Sequence, residues 1–130
     1  MNKKAPSADL WLQEAKAAEN AEKCGMYLIH NGTVRRTARA AVREGAADAA
    51  PVAGMQFAFD DEKVRRAVAE TERMPGIYHV RVWLNEGRLE PGDDIMLVLV
   101  GGDIRPHVTD ALQFLVGTLK SECVTEREIY

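Results

Sequence analysis

Four segments of the chain carry the apolar patterns of β-strands. The run "GMYLIHNGTV" predicts a strand over about 26–30 that can continue past its glycine to Val34. "VAGMQFAFD" and "IYHVRVWL" alternate with a period close to two, which predicts half-buried strands. In the second, the buried face is predicted to hold Tyr78, Val80, Val82 and Leu84. The uniformly apolar run "IMLVLV" predicts a central strand covered on both faces.

Three further segments have helical spacing. The first lies within residues 1–23 and has the apolar anchor "LWL". The second ends before a Pro-Gly pair, and the third runs through Lys120. Residues suited to helix N-termini precede or open each of them: Ser7 or Asp9, Asp60 or Asp61, and Pro106.

This order of elements, with turns between neighbouring strands, predicts an α+β fold with a mainly antiparallel sheet. The length of 130 residues suits a single domain over 1–130. Between two of the strands, "TARAAVREGAADAA" has no apolar stripe and is followed by Pro51. Residues 37–51 are therefore predicted to form a mobile surface loop, with a helical turn as the competing interpretation.

The net charge, the cysteines and the length of the apolar runs exclude several classes of function. The net charge of -3 gives no general attraction to nucleic acid or to an anionic membrane, so any anion binding must be local. Cys24 and Cys123 lie near opposite ends of the chain and form no Cys/His grouping, which argues against zinc and against a disulfide scaffold. No apolar run is long enough to span a bilayer. A cytoplasmic protein is expected.

The candidate chemistry is cationic. Three arginines, Arg35, Arg36 and Arg39, follow Gly32 where a strand runs into a loop, and "VGGDIRP" places glycines and an arginine before a helix N-terminus. Free amides and a helix dipole favour an anion at such a position. Solvated surface arginines and an ordinary turn are the alternatives. The three histidines have no metal-ligand spacing, so structural or exposed roles are expected for them.

Taken together, "GTVRR", "GRLEPGDDIMLVLVGG" and "IRPHVTDALQFLVGTLK" occur in an order and spacing that resembles the large, catalytic subunit of molybdopterin synthase, the MoaE-type family. The resemblance runs from about Cys24 to Arg127. It implies an α/β hammerhead-type fold and a homodimer. It also implies a small ubiquitin-like, MoaD-type partner whose C-terminal Gly-Gly carries a thiocarboxylate.

The resemblance further implies the reaction, which is sulfur insertion into cyclic pyranopterin monophosphate to give molybdopterin. The pterin is then a substrate, and no cofactor is held permanently. Lys120 and Arg127 fall at the catalytic positions, while Arg35 and Arg105, with Arg36 beside the first, are the anion-binding candidates.

Two residues depart from the family pattern. Ile104 replaces the histidine of a His-Arg pair, and Arg127 replaces a lysine. Arginine keeps the charge but does not give up its proton, so it binds anions and is a poor acid, base or nucleophile. Two hypotheses follow: a sulfur-inserting subunit that uses Lys120, or a non-catalytic relative that binds a ubiquitin-like protein or a pterin. A chance resemblance of an unrelated α+β domain is the third possibility.

Overall fold

The computed structural model describes residues 3–36 and 51–130. Within these ranges the chain forms three α-helices, two short helical turns and six strands. The helices are α1 (Ala8–Ala17), α2 (Asp61–Glu72) and α3 (Arg105–Thr118), with a 3-10 turn at Ala21–Lys23 and a π-helical turn at Leu119–Cys123. The strands are β1 (Met26–Thr33), β2 (Gly54–Phe59), β3 (Ile77–Leu84), β4 (Gly87–Leu89), β5 (Asp94–Gly102) and β6 (Val124–Ile129).

The described strands form two antiparallel sheets, with orders β1-β5-β3 and β4-β2-β6. The α+β class predicted from the sequence is confirmed, although the strands divide between two sheets. The apolar strand β5 lies in the centre of the first sheet, as its uniform hydrophobicity predicted. None of the described helices is both long and apolar enough to cross a membrane.

Both faces of β5 are covered. Val98 and Val100 belong to a core that also contains Val108 and Leu115 of α3, and all four are fully buried. On the opposite face, Leu97 and Leu99 pack with Trp11 and Ala15 of α1. Fully burying an aliphatic side chain is worth about 1.5–3 kcal/mol, so the packing on both faces of β5 stabilises the fold.

Local signals set the helix starts. The Ser7 hydroxyl accepts a hydrogen bond from the Leu10 amide at 3.2 Å, and an Asp60 carboxylate oxygen accepts one from the Lys63 amide at 3.1 Å. These contacts satisfy amides that have no partner inside the helix. The structure thus selects Ser7 and Asp60 from the capping residues that the sequence offered.

Three predictions about the fold were wrong or incomplete. Tyr78 is 42% exposed, because a register shift between Ile77 and His79 turns Ile77 into the core in its place. Leu10 is 51% exposed, and Trp11 alone of the "LWL" anchor is fully buried. The C-terminal tail, for which the sequence analysis predicts no element, forms β6 on the edge of the second sheet. The loop predicted over 37–51 lies outside the described residues except for Pro51.

Candidate functional site

A cleft of about 580 Å³ is lined by residues of both sheets and of the π-helical turn. It brings together three cationic side chains that lie far apart in sequence: Arg35, Lys120 and Arg127. The other lining residues come from β1, β2, β5 and the C-terminal segment: His30, Gly32, Thr33, Met55, Ile95, Met96, Glu126, Glu128 and Tyr130.

Arg35 is positioned by the end of β1. A bulge between Gly32 and Thr33 shifts the pairing with β5, and the buried Val34 follows it. The Val34 amide donates to the Asp93 carbonyl at 2.9 Å, and the Val34 carbonyl accepts from the Gly92 amide at 2.8 Å. The turn before β5 therefore holds the backbone next to Arg35.

Lys120 is positioned by the π-helical turn after α3. Leu119 and Cys123 are buried and anchor the two ends of this turn, whereas Lys120 is exposed and lines the cleft. Such single wide turns occur often at functional sites. The sequence predicted a helix through Lys120, and the structure ends the α-helix two residues earlier, at Thr118.

Arg127 lies on the edge strand β6, where it pairs with Gln56 of β2. Its neighbours Glu126 and Glu128 also line the cleft, so the cations there are partly balanced by carboxylates. One oxygen of Glu128 accepts a hydrogen bond from the Tyr130 hydroxyl at 2.9 Å. This bond raises the pKa of Tyr130, because the carboxylate favours the protonated phenol.

His30 is a cleft residue that the sequence analysis treated as structural or exposed. It is half-buried, and its Nε2 is shielded from solvent with no hydrogen-bond partner among the described residues. Burial, and then the charge of Lys120, lower its pKa. A signal was available in the sequence: His30 and Gly32 are two positions apart on one strand and so share a face.

Arg105 lies elsewhere. It opens α3, and from there to Thr118 the helix rises about 20 Å at 1.5 Å per residue, so the structure does not bring Arg105 to the Lys120 cleft of the same chain. Arg36 is exposed and does not line the cleft either. Arg39 lies outside the described residues.

The predicted anion-binding position at "VGGDIRP" is occupied by a carboxylate of the chain itself. An Asp103 oxygen accepts hydrogen bonds from the Ile104 amide at 2.6 Å and from His107, whose Nδ1 lies 2.7 Å away. The bond from His107 and then that from the amide lower the pKa of Asp103, so it is charged at neutral pH. An external anion would have to compete with this carboxylate.

The remaining candidate groups lie outside this chemistry. Cys123 is buried, and burial is the main cause that raises the pKa of its thiol, which makes it a small apolar side chain at neutral pH. Cys24 is half-buried. Within residues 3–36 and 51–130, no group of three or more His, Cys, Asp or Glu side chains is placed to hold a metal ion.

The arrangement suits anion binding combined with proton transfer. Guanidinium groups bind phosphates and carboxylates through two parallel hydrogen bonds, and they stay protonated at all working pH values. An amine such as that of Lys120 binds anions as well, and it can also exchange a proton or act as a nucleophile.

The chain is similar to known proteins both in sequence and in fold. The sequence profile of the MoaE protein family matches residues 6–122. The structure of the molybdopterin biosynthesis MoaE protein from Burkholderia ambifaria MC40-6 superposes with a TM-score of 0.72 at 22% identity, covering 98% of this chain and 84% of that one. No curated protein sequence matches the chain.

Two other structures share the fold. Molybdopterin synthase from Staphylococcus aureus matches with a TM-score of 0.72 at 16% identity, covering 96% of this chain and 85% of that one. The complex of subunits 1 and 2 of molybdopterin-converting factor from Helicobacter pylori 26695 contains a chain with a TM-score of 0.64 at 14% identity, with 98% and 86% covered. Since the family profile spans most of the chain and the fold agrees with it, the protein belongs to the MoaE family.

Proposed function

We propose that the protein acts in molybdenum cofactor biosynthesis as the large subunit of a molybdopterin synthase-like complex. In this role it inserts sulfur into cyclic pyranopterin monophosphate to give molybdopterin. The observation that carries the proposal is the convergence of Arg35, Lys120 and Arg127 on one cleft. Family membership supports it independently.

The cleft suits the two anions of this reaction. The pterin substrate carries a phosphate, and the sulfur donor is a thiocarboxylate at the C-terminus of a small ubiquitin-like partner. A volume of about 580 Å³ is within the ordinary range for small-molecule sites, which is roughly 300–1,000 Å³. Arg35 and Arg127 would hold the anions, since both lie at the cleft and both present a planar set of donors.

Lys120 is assigned the proton-transfer step, or a transient covalent adduct through its amine. Of the three cationic side chains named at the cleft, it is the only amine, a group that can exchange a proton or act as a nucleophile, whereas the two guanidinium groups cannot. The neighbouring Arg127 adds charge but leaves the acid–base work to Lys120.

A second copy of the chain is part of the proposal. The family's His-Arg pair corresponds here to Ile104 and Arg105, which lie at the far end of α3 from the cleft. Ile104 is 52% exposed, so its side chain is available for burial against another chain. In a homodimer, Arg105 of one copy would complete the cleft of the other.

A different function has one observation in its favour. Where the family has a second lysine, Arg127 lies at the cleft and cannot transfer a proton. A relative that has lost catalysis could still bind the pterin or the ubiquitin-like partner through the same cations, and would act as a binding or regulatory protein.

A single-turnover assay separates the two functions. The protein is mixed with a thiocarboxylated small subunit and cyclic pyranopterin monophosphate, and the dithiolene product is detected by mass spectrometry. Product that disappears in Lys120→Ala supports the enzyme. Measurable binding of pterin or small subunit without product supports the binding protein, and absence of both binding and product would reject the two functions together.

A further inference from the structure

His30 combines three features that no other described residue of the cleft shows together. It lines the cleft, it is near enough to Lys120 for the two to interact electrostatically, and its Nε2 is buried without a partner among the described residues. It also projects from the same strand face as Gly32.

An unpaired ring nitrogen is costly in a folded protein. Leaving a buried polar atom without a hydrogen bond costs about 1–3 kcal/mol, and an apolar side chain of the same shape avoids this cost. A histidine that served only to fill space at this position would therefore be a poor choice. A partner supplied by a bound molecule explains why the nitrogen is there.

The surroundings allow such a partner to approach. A Cβ built on Gly32 would lie 3.6 Å from Nε2 and 3.1 Å from Cγ of Met96, so the space beside the imidazole is tight, and a group that approaches there requires Met96 to move. The side chain that borders this space is Met96, whose unbranched thioether chain adjusts easily to a bound molecule.

The charge state of His30 complements its neighbours. Its pKa is lowered by burial and by Lys120, so the imidazole is uncharged near neutral pH and can donate or accept one hydrogen bond at Nε2. Arg35, Lys120 and Arg127 attract anions, whereas a neutral imidazole suits an uncharged polar group such as a ring N–H or a carbonyl.

We infer that His30 is a ligand-contacting residue whose Nε2 forms a hydrogen bond with an uncharged ring N–H or carbonyl of the bound molecule, while the cations hold its anionic part. The inference rests on the proposed function, since a pterin ring supplies both kinds of group. It assigns recognition of the heterocycle to His30 and recognition of the phosphate to the arginines Arg35 and Arg127.

The test compares two probes on three proteins: wild type, His30→Phe and His30→Gln. Inorganic phosphate and cyclic pyranopterin monophosphate are titrated separately by calorimetry under anaerobic conditions. We expect His30→Phe to weaken pterin binding about 3- to 10-fold, the size of one lost hydrogen bond. Phosphate affinity should not change, and His30→Gln should recover part of the pterin affinity.

Thermal unfolding of the same variants separates contact from structure. Because Phe removes an unpaired buried nitrogen, His30→Phe should unfold at the same temperature as wild type or higher. Equal pterin affinity in wild type and His30→Phe would overturn the inference while the proposed function stands. Equal loss of phosphate and pterin binding would also overturn it, and a wild type that does not bind the pterin would overturn the proposed function as well.

Discussion

The two ends of α3 carry cations in different settings. At the C-terminal end, the π-helical turn places Lys120 in a cleft that it shares with Arg35 and Arg127. At the N-terminal end, Arg105 is exposed next to Asp103, whose carboxylate already bonds the Ile104 amide and His107.

The two ends of α3 therefore differ in how they can bind an anion. A helix N-terminus attracts negative charge, but here the chain supplies that charge itself. The cleft at the other end draws its cations from a strand end, a helical turn and an edge strand, so its charge is built by tertiary structure. Of the two ends of α3, it is the C-terminal end, with its cleft, that we propose as the site for a phosphate-bearing molecule.

The largest expected effect is the loss of Lys120. Lys120→Ala should lower the single-turnover rate of dithiolene formation by about 100-fold or more, the usual contribution of a general acid or base. Lys16→Ala, a matched change of an exposed lysine in the last turn of α1, should leave the rate unchanged. If Lys120→Ala forms product at a rate within a few-fold of wild type, Lys120 is not the acid or base of the reaction. The two ends of α3 would then not differ in their role in catalysis.

The next effect tests whether the two ends meet in a dimer. Lys120→Ala and Arg105→Ala should each be impaired alone, because every site then lacks one of the two residues. After the two variants are unfolded together and refolded as a mixture, half of the dimers should be mixed, and each of these has one intact site. About a quarter of the wild-type sites should therefore become active.

The refolded single variants are the controls for this complementation. If the mixture is no more active than the average of the two, Arg105 does not complete the cleft of a second copy. Arg105 and the Lys120 cleft would then be separate in the dimer, as they are in the single chain.

A smaller effect is expected at Arg127, which separates charge from proton transfer. Arg127→Ala should weaken binding of inorganic phosphate by roughly 10-fold, since hydrogen bonds to charged groups are worth about 1.5–3 kcal/mol. Arg127→Lys keeps the charge and should retain most of the affinity. Calorimetric titration measures both, and equal affinities in all three proteins would exclude Arg127 from the anion site.

Much of this fold could be predicted from the sequence, because strong local patterns agree with the tertiary structure. The boundaries of β3 and the central place of β5 follow from alternation and from uniform hydrophobicity. The prediction that Tyr78 is buried was wrong, because an irregularity in strand pairing between Ile77 and His79 moves the residues before it to the other face of the sheet. The strand β6 was not predicted, because its exposed, charged sequence carries little apolar signal.

The site was less predictable than the fold. Arg35 was named first from the arginine cluster after Gly32, and Lys120 and Arg127 were named from a family resemblance, whereas no local pattern places the three in one cleft. Arg105 could have been set apart from Lys120 in advance, since the predicted helix between them already implied a separation of about 20 Å. The two-residue spacing could have placed His30 on the same strand face as Gly32, but its unpaired nitrogen is a property of packing, which spacing along the chain does not reveal.

The smallest expected effect concerns the two histidines whose Nε2 atoms are buried and unpaired among the described residues, His30 in the cleft and His79 on β3. Burial is the main cause that lowers both pKa values, and the second cause is Lys120 for His30 and Arg81 for His79. Because the unfolded chain then binds more protons than the native state, stability should fall as the pH drops below about 6.5. Urea unfolding from pH 7.5 to pH 5 should show a weaker loss in His30→Phe and in His79→Phe than in wild type. Equal pH dependence in wild type and in both variants would mean that neither imidazole has a lowered pKa in the native protein.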